Sequence, residues 1–146
     1  MIERYVDELN KRNLSILDEL VADEVVLGSL MRGDDLLQPE VGRQEYRRGI
    51  EDRLKAFPDY AVTIKEMIAE SDQVVLYWSC RGTQRGDYLG VKPTGKVIEG
   101  VAVSIYRIVQ GKIVEVRGIW DRADTWQQLG LIPETQIVSP AIGELQ

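Results

Sequence analysis

The chain has 146 residues, of which 44% are hydrophobic and 29% are charged, and its formal net charge is −6. This length is sufficient for one domain with a substantial core, so we expect a single domain over residues 1–146. The acidic balance argues against nucleic acid as a partner, because binding to phosphates usually needs a basic face. The basic stretch at residues 43–48 is short and itself contains a glutamate.

Membrane and secretion signals are not found in the sequence. No apolar run reaches the roughly 18 residues of a membrane span, and the first residues lack a signal-peptide pattern. The single cysteine, Cys80, excludes an internal disulfide and fits a reducing compartment. We therefore expect a cytoplasmic protein that does not interact with a membrane.

Histidine is absent from the chain. This removes the commonest metal ligand and the side chain most often used for proton transfer near neutral pH. Ser-His-Asp and Cys-His catalysis are impossible within the chain, and a zinc site would need carboxylates with one thiol. We expect no metal, and any acid–base chemistry must use Asp, Glu, Tyr, Lys, Cys or water.

The first part of the chain has helical periodicity. Apolar residues at helical spacing predict one amphipathic helix over residues 2–12 and a second from about 16 to 22, followed by a short β-like run at 24–27. Residues 28–42 are predicted to form a loop, and its apolar residues favour a segment that folds over another part of the molecule. These residues are Leu30, Met31, Leu36 and Leu37.

A third helix and a run of strands follow. The third helix is predicted over residues 43–57, with an apolar stripe formed by Tyr46, Ile50, Leu54 and Phe57. Strands are predicted over residues 60–69, 73–82, 97–108 and 113–121, and a short helix over 122–129. Helices set apart from a mostly antiparallel sheet indicate an α+β fold. The core is expected within residues 2–132, with an irregular C-terminal tail.

The last predicted strand carries two different sets of side chains. Glu115, Arg117 and Asp121 share one parity, while Val114, Val116, Gly118 and Trp120 share the other. Because side chains alternate along a strand, each set lies on its own face of the sheet. The sequence alone leaves open which set faces a covered pocket.

Several motifs, taken in order, resemble the SnoaL-like polyketide cyclase (ester cyclase) family of the NTF2-like superfamily. The matching stretches are Arg4-Tyr5 with residues 10–20, residues 56–60 (AFPDY), 82–86 (GTQRG), 90–96 (GVKPTGK), Tyr106-Arg107, 111–115 (GKIVE), and 119–121 (IWD) with 127–131. Relatives commonly carry histidine where this chain has Gln84 and Val116. The resemblance covers about residues 4–132.

The resemblance implies a cone in which a curved, mostly antiparallel sheet and N-terminal helices enclose a pocket. It also implies a homodimer, a small hydrophobic carbonyl or polyketide-like ligand, and no metal or organic cofactor. In the cyclases, an Asp at the position of Asp121 acts as the acid–base group of an intramolecular aldol closure. A cofactor-independent cyclase is therefore one expectation for the function.

Candidate site residues follow from this pattern, each with an ordinary structural alternative. Asp121 is the predicted catalytic residue, and the alternative is a cap for the helix that follows it. The predicted substrate-binding residues are Tyr77, Arg81, Gln84, Tyr106, Arg117 and Trp120. Tyrosine is also a frequent core or rim residue, and Arg117 is equally suited to the surface. Two functional alternatives stay open: a non-catalytic ligand-binding or dimerisation protein, and an isomerase-like or dehydratase-like enzyme.

Overall fold

The computed structural model of the protein describes residues 1–29 and 40–133. It has the predicted α+β composition, with helices and strands in the predicted order. The helices are α1 (Ile2–Asn10), α2 (Ile16–Leu20), α3 (Arg43–Ala56) and α4 (Arg122–Gln128). The strands are β1 (Val21–Ser29), β2 (Glu40–Val41), β3 (Ala61–Glu70), β4 (Gln73–Thr83), β5 (Val97–Val109) and β6 (Lys112–Trp120). Most of the predicted irregular tail, which begins near residue 131, lies outside the described residues, at positions 134–146.

The six strands form one curved sheet in the order β2-β1-β6-β5-β4-β3. Strands β3 to β6 form an antiparallel meander, and β1 pairs with β6 in parallel. The mostly antiparallel sheet is therefore confirmed. None of the helices in the described part of the chain is long and apolar enough to cross a membrane.

The first strand is longer than predicted and the helix before it is shorter. The predicted helix to residue 22 ends at Leu20, and β1 begins at Val21, where we had expected a strand only from residue 24. Val21 and Val25 are completely buried, and Val21 pairs with Ile113 of β6. Pairing with a distant strand therefore overrides the local helical pattern, as is common for β-branched residues.

Part of the predicted loop at residues 28–42 is also strand. Gly28 and Ser29 complete β1, and Glu40 and Val41 form β2, which pairs with β1. The four apolar residues that suggested a covering segment fall at positions 30, 31, 36 and 37, outside the described residues. That interpretation stays a prediction.

The apolar stripe of α3 is confirmed. Tyr46, Ile50, Leu54 and Phe57 all belong to the hydrophobic clusters between the helices and the sheet. The helix follows Gly42, whose φ of 117° is readily adopted only by glycine. The stripe therefore fixes which side of α3 covers the sheet.

A bulge in β6 changes the alternation that the sequence predicted. Glu115 pairs with Arg107 while Ile113 pairs with Ile108, so Val114 is an extra residue on β6. Such a bulge lets side chains of opposite parity point to the same face. Ile113 and Val116 have opposite parity in the sequence but contact the same core cluster. Ile113 is completely buried in it, and Val116 packs against it.

Two side-chain amides complete the sheet where strands lack a neighbour. On the edge strand β3, Val62 donates its N–H to Asn10 Oδ1 (2.9 Å), and Asn10 Nδ2 donates to Val62 O (2.8 Å). On β5, Glu99 N donates to Gln128 Oε1 (2.7 Å), and Gln128 Nε2 donates to Glu99 O (2.6 Å). These pairs attach α1 and α4 to the sheet.

The basic stretch at residues 43–48 is neutralised by carboxylates. Arg43 pairs with Asp23 at 2.6 Å, Arg47 pairs with Asp18 at 2.8 Å, and Arg48 pairs with Glu45. The guanidinium groups of this stretch therefore contact acidic side chains of the same chain.

We predict that Asn10→Ala lowers the free energy of unfolding by about 1–3 kcal/mol, because it leaves two half-buried backbone groups of β3 without partners. The matched control is Asn13→Ala, which removes an amide bonded only to exposed side chains and should change stability by less than about 0.5 kcal/mol. Urea unfolding followed by circular dichroism measures both. Equal losses for the two variants would contradict the role assigned to Asn10.

Candidate functional site

A cavity of about 490 Å³ lies between the helices and the inner face of the sheet. The helix side contributes Tyr5, Val6, Tyr46, Ile50, Arg53 and Leu54. The sheet side contributes mainly β4, β5 and β6, and the end of β6 and the start of α4 line one part of it. A cavity of this size suits a small or medium organic molecule.

The inner face of β5 and β6 carries small side chains, which leave this space open. On β5 the alternate positions of this face are occupied by Gly100, Ala102 and Ser104. On β6, Gly118 pairs with Ser104. A Cβ built on Gly118 would lie 3.6 Å from Ser104 Oγ, an ordinary contact. Packing therefore does not force glycine at this position, and its smallness instead contributes volume to the cavity.

Five of the six tyrosines of the chain line the cavity. They are Tyr5, Tyr46, Tyr60, Tyr88 and Tyr106. Burial is the largest influence on all five hydroxyls and raises the pKa of each. The hydroxyls therefore stay protonated near neutral pH. Those of Tyr5 and Tyr46 are hydrogen-bonded to each other, and the remaining hydroxyls can donate hydrogen bonds to a ligand carbonyl.

Tyr106, a predicted substrate-binding residue, lies on the cavity wall. It is buried, and its ring meets that of Tyr5 edge-to-face at 6.0 Å. Ser104, two residues before it on the same face of β5, accepts a hydrogen bond from Trp78 Nε1 at 3.0 Å. The structure thus places Tyr106 in the cavity with its side chain fixed.

Asp121, the predicted catalytic residue, lies where β6 passes into α4. Its side chain caps α4, since Asp124 N donates to Asp121 Oδ1 at 2.9 Å. The same residue lines the cavity and is exposed to solvent. Capping and cavity lining, which the sequence offered as alternatives, therefore occur together, and the cap fixes the orientation of the carboxylate.

Trp120, a predicted substrate-binding residue, lies beside Asp121 and also lines the cavity. The guanidinium carbon of Arg122 lies 5.6 Å from the centre of the Trp120 ring. Asp121, Trp120 and Arg122 therefore form one side of the cavity, next to solvent.

Arg53 is a cavity residue that the sequence analysis missed. It lies on α3 in the apolar stripe, three residues after Ile50 and four before Phe57, and its guanidinium carbon is 5.5 Å from the centre of the Tyr60 ring. Its presence within an otherwise apolar stripe was the available signal. A charge at such a position faces the interior rather than solvent.

Gln84 is completely buried, outside the cavity wall, and fully hydrogen-bonded. Its Nε2 donates to Gly86 O and Val91 O, both at 3.2 Å, and its Oε1 accepts from Thr94 N (3.1 Å) and Thr94 Oγ1 (2.7 Å). These bonds hold together the connection between β4 and β5.

Three predicted substrate-binding residues lie on the outer face of the sheet. Tyr77 and Arg81 alternate with the inward-facing Leu76, Trp78 and Cys80 on β4. Arg81 pairs with Glu99 at 3.0 Å, and Arg117 pairs with Glu115 at 2.7 Å. The structure does not bring these three residues into the cavity, because the inward parity on β6 belongs to Val116, Gly118 and Trp120.

In the part of the chain that the structure describes, no group of three or more His, Cys, Asp or Glu residues is placed to hold a metal ion. The cavity wall instead offers tyrosine hydroxyls, one thiol, guanidinium groups, and the carboxylates of Asp121 and Asp124. These groups can donate hydrogen bonds, bind an anion and transfer a proton.

Comparison with known proteins agrees with this architecture. AclR of Streptomyces galilaeus, a proposed hydroxylase, is 28% identical, with a TM-score of 0.78 over 91% of this chain and 80% of its own. IdmH of Streptomyces antibioticus, a proposed polyketide cyclase, is 27% identical, with a TM-score of 0.74 over 88% of this chain and 95% of its own. A proposed SnoaL-like polyketide cyclase of Jannaschia sp. CCS1 is 20% identical, with a TM-score of 0.79 over 90% of each chain, and shows the fold alone.

The fold is thus that of the NTF2-like proteins, a curved sheet with helices on its inner face. The family model of the SnoaL-like polyketide cyclases matches residues 1–129. The chain belongs to this family, and the resemblance inferred from its motifs is confirmed. Among curated proteins, no relative matches the chain.

We predict that Gln84→Glu destabilises the fold in a pH-dependent way. At pH 8 the introduced carboxylate would face two carbonyl oxygens without a donor, which should cost more than about 2 kcal/mol. Burial raises the folded-state pKa of such a carboxyl above its unfolded value. The deficit should therefore shrink as pH falls through the raised pKa and vanish below the unfolded value.

Chemical unfolding of the variant and wild type at pH 8 and pH 4 measures this deficit. Gln73→Glu, at the exposed start of β4, is the matched control and should show little difference at either pH. A deficit that is equal at both pH values would contradict the assigned hydrogen bonds.

Proposed function

We propose that the protein binds a small hydrophobic carbonyl compound of polyketide type in its cavity and catalyses an intramolecular aldol closure. The observation that carries the proposal is the position of Asp121, on the wall of an apolar cavity beside solvent. The family of the chain and its likeness to IdmH, a proposed polyketide cyclase, at 27% identity, support this proposal.

In this mechanism Asp121 takes a proton from the carbon next to a ligand carbonyl. The resulting enolate carbon attacks a second carbonyl carbon of the same molecule, which forms a C–C bond. The new alkoxide oxygen then recovers the proton from Asp121. One well-placed acid–base group contributes roughly 10²–10⁴-fold to the rate, and the reaction needs no metal or organic cofactor.

Asp121 suits this role because its two oxygens have different surroundings. Oδ1 accepts the hydrogen bond from Asp124 N, which orients the group. Within residues 1–29 and 40–133, no protein donor is bonded to Oδ2. Tyr106 and Trp120 are the predicted substrate-binding residues on the cavity wall, and we propose that Tyr106 donates a hydrogen bond to a ligand carbonyl.

Gln84, Tyr77, Arg81 and Arg117 take other roles in this proposal. Gln84 maintains the connection between β4 and β5, which carries the cavity residue Tyr88. Tyr77, Arg81 and Arg117 lie on the outer face, where they would influence association rather than ligand binding.

We predict that Asp121→Asn lowers the rate of ligand proton exchange by about 10²–10⁴-fold, because the amide cannot act as the base. Asparagine is as good a helix cap as aspartate, so the thermal melting temperature should change little. Exchange of the α-protons of an aryl β-ketoester, ethyl benzoylacetate, in D₂O at pH 6 is followed by NMR after subtraction of the buffer rate.

The matched control is Asp124→Asn, which changes the other carboxylate on the cavity wall and should leave the exchange rate within a few-fold. Loss of exchange with Asp124→Asn alone would assign the base to Asp124 and contradict the role of Asp121. Binding without exchange by the wild type would favour the non-catalytic alternative.

We also propose a homodimer that forms through the outer face of the sheet. Tyr77, Val103 and Ile119 form one row across β4, β5 and β6. Val103 and Ile119 also contribute atoms to the cavity lining. Val101 is 52% exposed, Ile119 40% and Tyr77 38%, which is unusual for neighbouring large apolar residues. A second copy of the same face would cover them, as the family resemblance implies.

We predict a mass in solution of twice the 16.6 kDa of the chain, measured by light scattering after gel filtration. Ile119→Glu should shift the protein to monomer, because it places a charge in the centre of the contact. Leu89→Glu is the control, since Leu89 is 65% exposed on a loop away from this face. A monomeric wild type would refute the dimer.

A further inference from the structure

The cavity contains a cation with no anionic partner. In the described part of the chain no carboxylate lies within 4.0 Å of the Arg53 guanidinium, and no hydrogen bond to it is formed. Its guanidinium carbon lies over the Tyr60 ring, 5.5 Å from the ring centre. Arg53 is half-buried, and a guanidinium partly withdrawn from bulk water is stabilised by hydrogen-bonded or charged partners.

Several other arginines of the chain have carboxylate partners: Arg43, Arg81, Arg107 and Arg117. Arg122 lines the cavity and lies 5.6 Å from the centre of the Trp120 ring, but unlike Arg53 it is exposed to solvent. Arg12 also lines the cavity, but its guanidinium is bonded to backbone carbonyls, including that of Pro58 at 2.7 Å. The hydrogen-bonding capacity of the Arg53 guanidinium is therefore available to a ligand.

The surroundings of Arg53 do not neutralise its charge. The titratable groups that act most on its charge are four tyrosines: Tyr5, Tyr46, Tyr60 and Tyr88. Asp52 and Asp87 line a neighbouring recess with Arg53, but neither carboxylate pairs with it. Burial raises the pKa of each of the four tyrosine hydroxyls, which keeps them neutral at physiological pH. This end of the cavity therefore combines a permanent positive charge with neutral hydrogen-bond donors.

We propose that the ligand of this cavity carries an anionic oxygen, as a carboxylate or an enolate, and that the Arg53 guanidinium binds it. The neighbouring tyrosine hydroxyls supply further donors to the same oxygen, and the apolar wall receives the hydrocarbon part. The substrate class is thus a hydrophobic acid or an acidic dicarbonyl compound. This inference deepens the proposed function, since it concerns the same cavity, but it does not require catalysis.

The test compares an anionic probe with a neutral probe of the same shape. Isothermal titration calorimetry at pH 7.5 measures binding of 2-naphthoate and 2-naphthamide to the wild type and to Arg53→Gln. We expect the wild type to prefer 2-naphthoate by at least about 10-fold, since charge-assisted hydrogen bonds are roughly twice as strong as neutral ones. Arg53→Gln should weaken 2-naphthoate by about 10–100-fold and leave 2-naphthamide within about 2-fold.

Two further variants refine the result. Arg53→Lys keeps the charge but loses the planar fork, and should give an intermediate loss for 2-naphthoate. Arg85→Gln removes the same charge from an exposed residue outside the cavity wall, and should leave both affinities unchanged. If Arg53→Gln fails to fold, as judged by its thermal melt, Arg53→Lys decides the question: an unchanged affinity for 2-naphthoate in this variant would overturn the role of Arg53.

A second pair of probes separates the two sources of the anionic oxygen. Dimedone is ionised as an enolate at pH 7.5, and its methyl enol ether is neutral. If the wild type binds dimedone more tightly than its methyl enol ether, and Arg53→Gln does not, the site accepts enolates as well as carboxylates. If only 2-naphthoate binds more tightly than its neutral partner, the site is restricted to carboxylates.

The outcomes distinguish this inference from the proposed function. Equal binding of 2-naphthoate and 2-naphthamide by the wild type, or equal weakening of both by Arg53→Gln, would overturn the role of Arg53 and leave the cavity a ligand site. If none of the four compounds binds to the wild type, both proposals would be overturned.

Discussion

The cavity exists because the middle of the sheet contributes little side-chain volume to its inner face. Protein interiors are normally close-packed, so an open space of about 490 Å³ forgoes many contacts. The structure packs tightly on two sides of it instead. One cluster joins α1, α2, β1 and β6, and the other joins the end of α3, the start of β5 and Leu129. Amide side chains at Asn10 and Gln128 attach the flanking helices to the strands.

The sheet gives each of its faces a different character. Strand alternation directs Leu76 and Trp78 to the cavity and Tyr77 to the outer face. On β6 the bulge at Val114 allows Ile113 to join the core while Arg117 and Glu115 pair on the outer face. One extra residue thus keeps this ion pair away from the apolar cavity wall, where burying both charges would carry a desolvation cost.

Patterns within one element were predictable, and contacts between distant elements were not. The α3 stripe and the β4 alternation follow from helical and strand periodicity, and both are confirmed. The start of β1 at Val21 depends on its partner Ile113, which is 92 positions away in the sequence and leaves no local signal. Gln84 has the residue type of a ligand-binding group, but its hydrogen bonds are satisfied by Gly86, Val91 and Thr94. Arg53 was not predicted as a cavity residue, because one charged residue beside the apolar stripe of α3 does not change its helical periodicity.

The absence of histidine divides the chemistry of this cavity among other groups. In a histidine-based site one imidazole can bind a carbonyl and also transfer a proton near neutral pH. Here buried tyrosine hydroxyls have raised pKa values, so they are suited to donating hydrogen bonds and poorly suited to giving up a proton. Proton transfer is therefore left to a carboxylate, and Asp121 lies where cavity and solvent meet. A protonated guanidinium such as that of Arg53 would stabilise the enolate oxygen that forms when the carboxylate removes a proton. Base and cation must then act at separate atoms of one ligand, which favours substrates with an acidic C–H beside a carbonyl.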